Sequence, residues 1–264
     1  MPKLVCGVVI LFTLLMSSSA FARCEKDIDL PLRDVYLTVD CINASELALR
    51  IEQGDAIIVD ARTNAEFEVL KIQGAINIDI DKKQDFIVKL KNLSESDNRD
   101  IIFYCNGQLC NLSYRAGTLA KEIGVPNTYV YDGGIFNFST VQPNKTLLFN
   151  KKISASNQPL TNEKLKAHMI PLSEFEKKIS NNVENEEDFR ILDIRDKSSH
   201  HGMSAFVGVR NEKYIPLEKT KKLRKFLSKV ADKSVPLYVY DWGGTKLKWA
   251  QYFIEQQGIE EYYF

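Results

Sequence analysis

The chain has 264 residues, of which 44% are hydrophobic, and its 35 Lys and Arg residues balance its 35 Asp and Glu residues. This composition is typical of a globular protein, and the length suits one large or two small domains. Because the charges balance, the sequence gives no support for binding to nucleic acid or to an anionic membrane surface, and we expect neither as a partner.

Residues 1–22 have the pattern of a secretory signal peptide. Lys3 gives a positive start, an apolar run of about a dozen residues follows (VCGVVILFTLLM), and SSSAFA places Ala20 and Ala22 at the spacing that signal peptidase accepts. The apolar run is too short to span a bilayer comfortably. We expect cleavage after Ala22, a mature chain that begins at Arg23 and has no membrane association, and a periplasmic or secreted location. An uncleaved anchor is the alternative.

Export would place the cysteines in an oxidising compartment. Four cysteines remain after the predicted cleavage, an even number: Cys24, Cys41, Cys105 and Cys110. Cys24 and Cys41 flank the entry to the first domain: Cys24 lies in an N-terminal segment, residues 23–37, and Cys41 lies just after it. Neither has a chemical context. We therefore expect these two to form a structural disulfide.

The folded part of the chain begins with a helix and a buried strand, and this order recurs later. An amphipathic helix is predicted over residues 45–53, with Ser45 as its N-cap and Gly54 as its stop. It precedes the apolar run AIIVDART (56–63), which is typical of a buried strand. In the second half, a helix over residues 173–179 precedes a similar run, FRILDIRD.

Each half continues with a second apolar run, a polar turn and a helix. These read IIFYC, NGQLCNL and SYRAGTLAKEIG in the first half, and PLYVY, DWGGTK and LKWAQYFIEQQG in the second. The spacing also recurs, since 45 positions separate Asp60 from Cys105 and 48 separate Asp193 from Asp241. The repeated order predicts a duplicated α/β unit in which helices cover both faces of a mostly parallel sheet.

The predicted domains are residues 38–141 and 164–264. The segment between them, 142–163, is polar, contains two prolines and lacks sustained periodicity. It is predicted to be a linker or an irregular crossover.

Two other features are predicted to be structural. Trp242 and Trp249 follow helical spacing and are expected in the core. His200 and His201 have no companion cysteine or carboxylate at ligand spacing, so no metal site is expected.

The turn that begins at Cys105 is the candidate reactive site. A cysteine that ends a strand and is followed by a turn and a helix lies over the unpaired N–H groups of the helix N-terminus, which favour a thiolate. Gly107 lets the chain turn tightly. Ser113 is predicted to cap the helix, and Arg115, within its first turn, to add positive charge.

In these features the sequence resembles the rhodanese family. The resemblance covers both predicted domains and includes KIQGAINI (71–78), the turn that bears the cysteine, and YVYDGGIFNF (129–138), which is similar to the family's closing Gly-Gly-Ile segment. It implies two rhodanese-like α/β domains and sulfurtransferase activity without a cofactor. The site implied at the matching positions comprises the nucleophile Cys105, the substrate-binding residues Asn106, Gly107, Gln108, Leu109 and Ser113, and the bracing pair Asp60 and Arg62.

The implied reaction moves a sulfane sulfur from a small donor, such as thiosulfate, to a thiol or cyanide-like acceptor, which could be a protein thiol. Cys105 would carry the sulfur as a persulfide, stabilised by the loop amides and nearby cations such as Arg115.

The first departure from the family pattern is a longer loop, which brings in Cys110. A wider cradle occurs in phosphatases that share this fold, but these require an arginine six positions after the cysteine. Position 111 is asparagine, so the hydrolysis of phosphate esters is disfavoured. Cys110 is an alternative nucleophile, with Arg115 five positions further on, although a sulfur inside a turn is less well surrounded by N–H groups than one at a strand end.

The second departure is Asp241, which occupies the position of the cysteine in the second unit. A carboxylate cannot carry a sulfane sulfur, and its charge would repel an anionic donor. The second domain is therefore predicted to be non-catalytic.

Several alternatives for the Cys105–Cys110 pair stay open. A permanent disulfide would prevent sulfur transfer, whereas a reversible one would make the protein a dithiol/disulfide redox protein. A metal clip is the weakest alternative, because the spacing is not one that zinc sites use. The protein could also be a non-enzymatic binding module built on this fold.

Overall fold

A computed structural model describes residues 30–206 and 208–264. The predicted signal peptide and Cys24 lie outside the described residues, so the cleavage after Ala22 and the Cys24–Cys41 bridge stay predictions. Within the described part of the chain, no helix combines the length and the hydropathy needed to cross a membrane.

The strands are short and most are apolar. In chain order they are β1 (Asp40–Cys41), β2 (Ala56–Asp60), β3 (Leu70–Ile72), β4 (Ile76–Asn77), β5 (Asp100–Tyr104), β6 (Thr128–Tyr131), β7 (Thr146–Leu148), β8 (Lys151–Lys152), β9 (Arg190–Asp193), β10 (Glu212–Tyr214), β11 (Leu237–Tyr240) and β12 (Tyr262–Tyr263).

The helices alternate with these strands. They are α1 (Ala44–Gln53), α2 (Asn64–Val69), α3 (Lys83–Ser96), α4 (Leu112–Glu122), α5 (Gly134–Val141), α6 (Asn162–Lys166), α7 (Leu172–Glu184), α8 (Lys197–His200), α9 (Thr220–Lys233) and α10 (Leu247–Gln256), with short 3₁₀ turns at Pro31–Asp34 and Pro143–Lys145.

The first unit contains a five-stranded parallel sheet in the order β1-β6-β5-β2-β4. All five residues of β2 are buried, as expected of a central strand covered on both faces. One apolar cluster fills the face under α3 and α4, and another fills the face under α1, α2 and α5. The predicted α/β class with a mostly parallel sheet is confirmed.

The second unit contains a four-stranded parallel sheet in the order β10-β9-β11-β12. In each sheet the two apolar runs found in the sequence are neighbours: β2 lies beside β5, and β9 lies beside β11. Read from β12 to β10, the second sheet has the same connectivity as β6-β5-β2-β4 in the first.

The segment predicted to be a linker or an irregular crossover contains a hairpin. Its strands β7 and β8 are antiparallel, and β7 adds to β3 of the first unit. These strands have only three and two residues, too few for a period-2 pattern to show in the sequence. The extended conformation of β7 depends on pairing with β3, and that of β8 on pairing with β7.

The helix boundaries differ from the predictions by a few residues. The predicted cap Ser45 lies inside α1, and Asn43 accepts the capping hydrogen bond from the Glu46 N–H at 2.9 Å. Asn43 lies two positions closer to the N-terminus and is an equally good cap by type. Gly54 ends the helix with a φ of 69°, as predicted. The helix predicted over residues 173–179 extends over Leu172–Glu184.

The two units share one apolar cluster, which α10 brings together. Trp249 of α10 stacks on Phe136 of α5, with 5.5 Å between ring centroids, and Phe253 contacts Phe149 at 5.8 Å. Trp249 is buried, as predicted, but Trp242 is 79% exposed. The prediction for Trp242 is wrong because this residue lies in the turn before α10, where helical spacing does not set the direction of a side chain.

Candidate active site

Cys105 follows the last residue of β5 and lies close to the N-terminus of α4, as its place in the sequence predicts. Its Sγ lies 3.3 Å from Ser113 Oγ, and its thiol donates a hydrogen bond to the Cys110 carbonyl oxygen at 3.1 Å. The backbone N–H groups of Gly107 and Ser113 also hydrogen-bond to this sulfur. The side chain is only 1% exposed, so the sulfur lies beneath its own loop.

These contacts change the acidity of Cys105. Burial alone would raise the pKa of this thiol, because a charge is poorly solvated in the interior. Hydrogen bonds from Cys110, from the Ser113 hydroxyl and from the backbone of Ser113 and Gly107 outweigh burial and lower the pKa from 9.0 to about 7. The Cys110 carbonyl oxygen accepts from the protonated Cys105 thiol and so favours that form, but the hydrogen-bond donors to the sulfur have the larger effect on its pKa. The surrounding donors therefore favour the thiolate form of Cys105.

Cys110 behaves in the opposite way. Its hydrogen bond with Cys105, its burial and the negative charge of that neighbour all raise the pKa of the Cys110 thiol well above its usual value. Both sulfurs are unbridged in the structure. The loop therefore holds one acidic sulfur and one thiol that donates to it.

Two glycines allow the loop to lie against the start of α5. Gly107 has a φ of 137°, and a Cβ there would lie 2.7 Å from the Gly133 carbonyl oxygen. Gly134 has a φ of 66°, and its Cβ would lie 2.3 Å from the Gly107 nitrogen. This close approach lets the Ile135 N–H donate to the Cys105 carbonyl at 2.9 Å. The Gly-Gly-Ile segment thus supports the backbone of the loop directly.

A buried polar network holds the first loop residue, Asn106. Arg62 is fully buried, binds both carboxylate oxygens of Asp60 at 2.9 and 2.5 Å, and donates to Asn106 Oδ1 at 3.1 Å. The Asn106 amide in turn donates to Glu66 Oε1 at 2.8 Å. Burial would lower the pKa of Arg62, but Asp60 raises it well above its usual value, so the guanidinium stays charged. Asp60 and Arg62 therefore brace the loop and do not reach the sulfur.

An open cleft of about 600 Å³ lies beside the loop. Its lining comes from the loop and from the start of α5: Asn106, Gly107, Gln108, Leu109, Cys110, Gly133, Phe136 and Asn137. Leu109 is 83% exposed at the rim. Of the two sulfurs, Cys110 lines the cleft and Cys105 lies behind it.

Two predicted site residues are placed differently from expectation. Ser113 does not cap α4, because the helix begins at Leu112 and Ser113 is already inside its first turn, where its hydroxyl contacts Cys105. Arg115 is exposed and forms an ion pair with Asp81 at 2.9 Å, so it does not direct its charge at either sulfur. The charge predicted from its spacing in the sequence is neutralised by a residue from a distant part of the chain.

Three residues at the site were missed by sequence reasoning: Glu66, Phe136 and Asn137. Glu66 had a readable signal, since Thr63 and Glu66 form a capping box at the start of α2. Phe136 and Asn137 lie in the GGIFNF stretch (133–138), but whether their side chains face the cleft depends on how α5 packs against the loop.

The second unit repeats the bracing pair without the cysteine. Arg195 binds both carboxylate oxygens of Asp193 at 3.0 and 2.7 Å and donates to the Met203 carbonyl at 2.7 Å, as Arg62 does to the Leu70 carbonyl at 2.6 Å. Asp241 follows β11 and accepts a hydrogen bond from the backbone N–H of Lys246, just before α10. Within residues 30–206 and 208–264, no group of three or more His, Cys, Asp and Glu side chains is arranged to hold a metal ion.

Comparison with protein families matches residues 43–140 to the Rhodanese-like domain. One curated relative is an HTH-type transcriptional regulator of Mycobacterium tuberculosis, which is 35% identical over 85 residues. These residues cover 32% of this chain and 35% of that protein. A tRNA uridine(34) hydroxylase of Cytophaga hutchinsonii is 26% identical over 102 residues, or 38% of this chain and 32% of that protein. The matched region thus spans about a third of the length of these relatives.

Solved structures also match the chain, and the following are two of them. A thiosulfate sulfurtransferase from Pseudomonas aeruginosa is 16% identical, with a TM-score of 0.39 and coverage of 90% of this chain and 46% of that one. A protein of Bacillus halodurans is 22% identical, with a TM-score of 0.39 and coverage of 51% of this chain and 93% of that one. From the family match, a rhodanese-like domain is present in this chain, and it contains Cys105 and the whole of its loop.

Proposed function

We propose that this protein is a sulfurtransferase that carries a sulfane sulfur as a persulfide on Cys105. The observation that carries the proposal is a strand-end cysteine with hydrogen-bond donors around its sulfur and a pKa lowered to about 7. A thiolate is the nucleophilic form of cysteine, and the same N–H groups suit a persulfide anion. The match of residues 43–140 to the Rhodanese-like domain agrees with this chemistry.

The reaction has two balanced steps. The Cys105 thiolate attacks the sulfane sulfur of a donor such as thiosulfate, a bond forms between the two sulfurs, and the donor's S–S bond breaks as sulfite leaves with the electron pair. A thiophilic acceptor, a thiolate or cyanide, then attacks the outer sulfur of the persulfide, and Cys105 leaves as a thiolate. No cofactor is required, and the loop N–H groups stabilise the anionic sulfur in both resting states.

A thiocyanate assay tests this proposal. Purified protein is incubated with thiosulfate and cyanide, in parallel with Cys105→Ser and Cys110→Ser. We expect thiocyanate from the wild type and none from Cys105→Ser. Loss of activity only in Cys110→Ser would move the nucleophile to Cys110. No thiocyanate from any form would reject transfer from this donor and favour the alternative of a binding module.

A second candidate function is dithiol/disulfide exchange by Cys105 and Cys110. It is favoured by the hydrogen bond between the two thiols and by the position of Cys110 on the cleft. In this reaction Cys110 attacks the sulfur of an oxidised Cys105, either a persulfide or a sulfenic acid, and hydrosulfide or water leaves as the disulfide forms. Mass spectrometry of protein recovered from its native compartment distinguishes a persulfide, a disulfide and free thiols at these positions.

We also propose that the second unit is a non-catalytic rhodanese-like domain in a tandem arrangement. The recurring strand order, the repeated Asp-x-Arg pair and the position of Asp241 support this. Activity that is unchanged in Asp241→Asn and lost in Cys105→Ser would agree with it. Conversely, a large loss in Asp241→Asn would contradict it.

The location of the protein in an exported compartment is a further part of the proposal. It depends on residues 1–22, whose pattern is that of a signal peptide. N-terminal sequencing of the mature protein should find Arg23 first. A retained Met1 in a membrane fraction would instead support an uncleaved anchor.

A further inference from the structure

Helix α10 of the second unit lies directly against the site of the first. Its Trp249 is buried and stacks on Phe136, with 5.5 Å between ring centroids and 19° between ring planes. The same indole lies beneath the Arg62 guanidinium, whose carbon is 5.3 Å from the ring centroid. Trp249 therefore contacts two residues of the first unit, one that lines the cleft and one that braces the loop.

Both of these residues hold Asn106. Arg62 donates to the side-chain oxygen of Asn106 at 3.1 Å, and the Phe136 N–H donates to its backbone carbonyl at 3.4 Å. Asn106 joins Cys105 to Gly107, and Gly107 provides one of the N–H groups that act on the sulfur. A shift of Asn106 would therefore move a donor of the sulfur site.

The indole is well suited to keep Arg62 in place. The guanidinium is fully buried, and its cationic carbon lies over two rings, Trp249 at 5.3 Å and Tyr104 at 5.6 Å. A buried cation over an aromatic face is stabilised by the ring quadrupole. Truncation of the indole would remove one of these faces and leave a cavity beside both Arg62 and Phe136, into which either could relax.

We propose that Trp249 is a positioning residue for the Cys105 loop, so that the second unit completes the site of the first through Arg62 and Phe136. This inference rests on the proposed function only in taking Cys105 as the reactive sulfur. The unit without a cysteine thus has a task of its own, which is to keep the loop donors aligned on the sulfur of its neighbour.

The test measures the ionisation of Cys105 in the full chain, because this readout does not require sulfur transfer. The rate of alkylation by iodoacetamide is followed against pH, and fragment mass spectra assign the label to Cys105 or Cys110. The variants are Trp249→Ala, Trp249→Leu and Trp249→Phe. The matched controls are Phe253→Leu, which alters another aromatic contact of α10, with Phe149 of the segment between the units, and Trp242→Ala, which removes an exposed indole from the second unit.

We expect Trp249→Ala and Trp249→Leu to raise the pKa of Cys105 by about one unit, which lowers the thiolate fraction at neutral pH about fivefold. Trp249→Phe retains an aromatic face and should stay within about twofold of the wild type. The two controls should titrate like the wild type. If Trp249→Ala does not fold, the comparison of Trp249→Leu with Trp249→Phe decides the matter.

Two results would overturn the proposal: wild-type titration of Cys105 in Trp249→Leu, or an equal shift in Phe253→Leu, which would reduce the effect to general loosening between the units. A shifted titration in a protein that makes no thiocyanate would reject the proposed function and leave the positioning role of Trp249 intact.

Discussion

Replacement of Ser113 with alanine removes one identified donor to the Cys105 sulfur and leaves the others in place. The Ser113 hydroxyl lies 3.3 Å from Sγ, whereas the N–H groups of Ser113 and Gly107 belong to the backbone and persist in the variant. The substitution therefore tests how much one side-chain hydrogen bond contributes to the acidity of this thiol.

The magnitude follows from the contact. A hydrogen bond to a charged group contributes about 1.5–3 kcal/mol, and the diffuse charge of sulfur at this distance places Ser113 at the lower end. Since one pKa unit corresponds to about 1.4 kcal/mol, the pKa of Cys105 should rise by about one unit. From a starting value of about 7, it would still lie below the usual 9.0, because the backbone donors remain.

The assay is the rate of iodoacetamide alkylation at Cys105 between about pH 5.5 and 9.5, a range that brackets both titrations. At neutral pH the variant should react about fivefold more slowly, and above its new pKa it should approach the wild-type rate. Ser139→Ala provides a matched control, since Ser139 is also a buried helical serine in the same unit and its hydroxyl donates to the Phe136 carbonyl at 2.9 Å.

An unchanged titration curve in Ser113→Ala would refute the reasoning, because the hydroxyl would then contribute nothing to the thiolate. An equal shift in Ser139→Ala would also refute it, since the effect would then come from general loosening of the helices. A lower pKa in Ser113→Ala would mean that the hydroxyl stabilises the protonated thiol instead.

Three further predictions concern stability, each checked by thermal or denaturant unfolding. Gly134→Ala should lower the free energy of unfolding by about 3 kcal/mol or more, because its Cβ would lie 2.3 Å from a loop nitrogen. Gly124→Ala, which has a similar positive φ and nothing within 4 Å, should lower it by only about 1 kcal/mol. Equal losses in the two variants would contradict the close approach at Gly134. Arg62→Met leaves the buried Asp60 carboxylate unpaired and should lower the free energy of unfolding by about 3–5 kcal/mol. A decrease of less than about 1 kcal/mol would contradict the bracing role of Arg62. The pKa of Cys105 in the folded protein, about 7, lies below its usual 9.0, so ionisation of this thiol stabilises the fold fully above pH 9, and this contribution is lost as the pH falls through 7. The free energy of unfolding of the wild type, relative to that of Cys105→Ser, should therefore rise from pH 7 to pH 9. A difference that does not change with pH would contradict the lowered pKa.

The local features of this protein are readable in its sequence. The apolar runs that became β2, β5, β9 and β11 are continuous and bounded by turns, so their strand character does not depend on distant contacts. The place of Cys105 between a strand and a helix is likewise a property of neighbouring residues, and the same holds for Asp241 in the second unit. Strand, turn and helix in this order bring a side chain to the carboxyl edge of a parallel sheet whatever surrounds it.

Side-chain direction and long-range pairing were decided only by the tertiary structure. Arg115 turns to Asp81 and not to the sulfur. Strand β7 exists because β3 offers it an edge, and β8 pairs in turn with β7. The burial of Cys105 and the position of Cys110 on the cleft likewise appear only in the tertiary structure. The contact between Trp249 and Arg62 joins residues from opposite halves of the chain, and a periodic pattern, which reports only on near neighbours, contains no information about it.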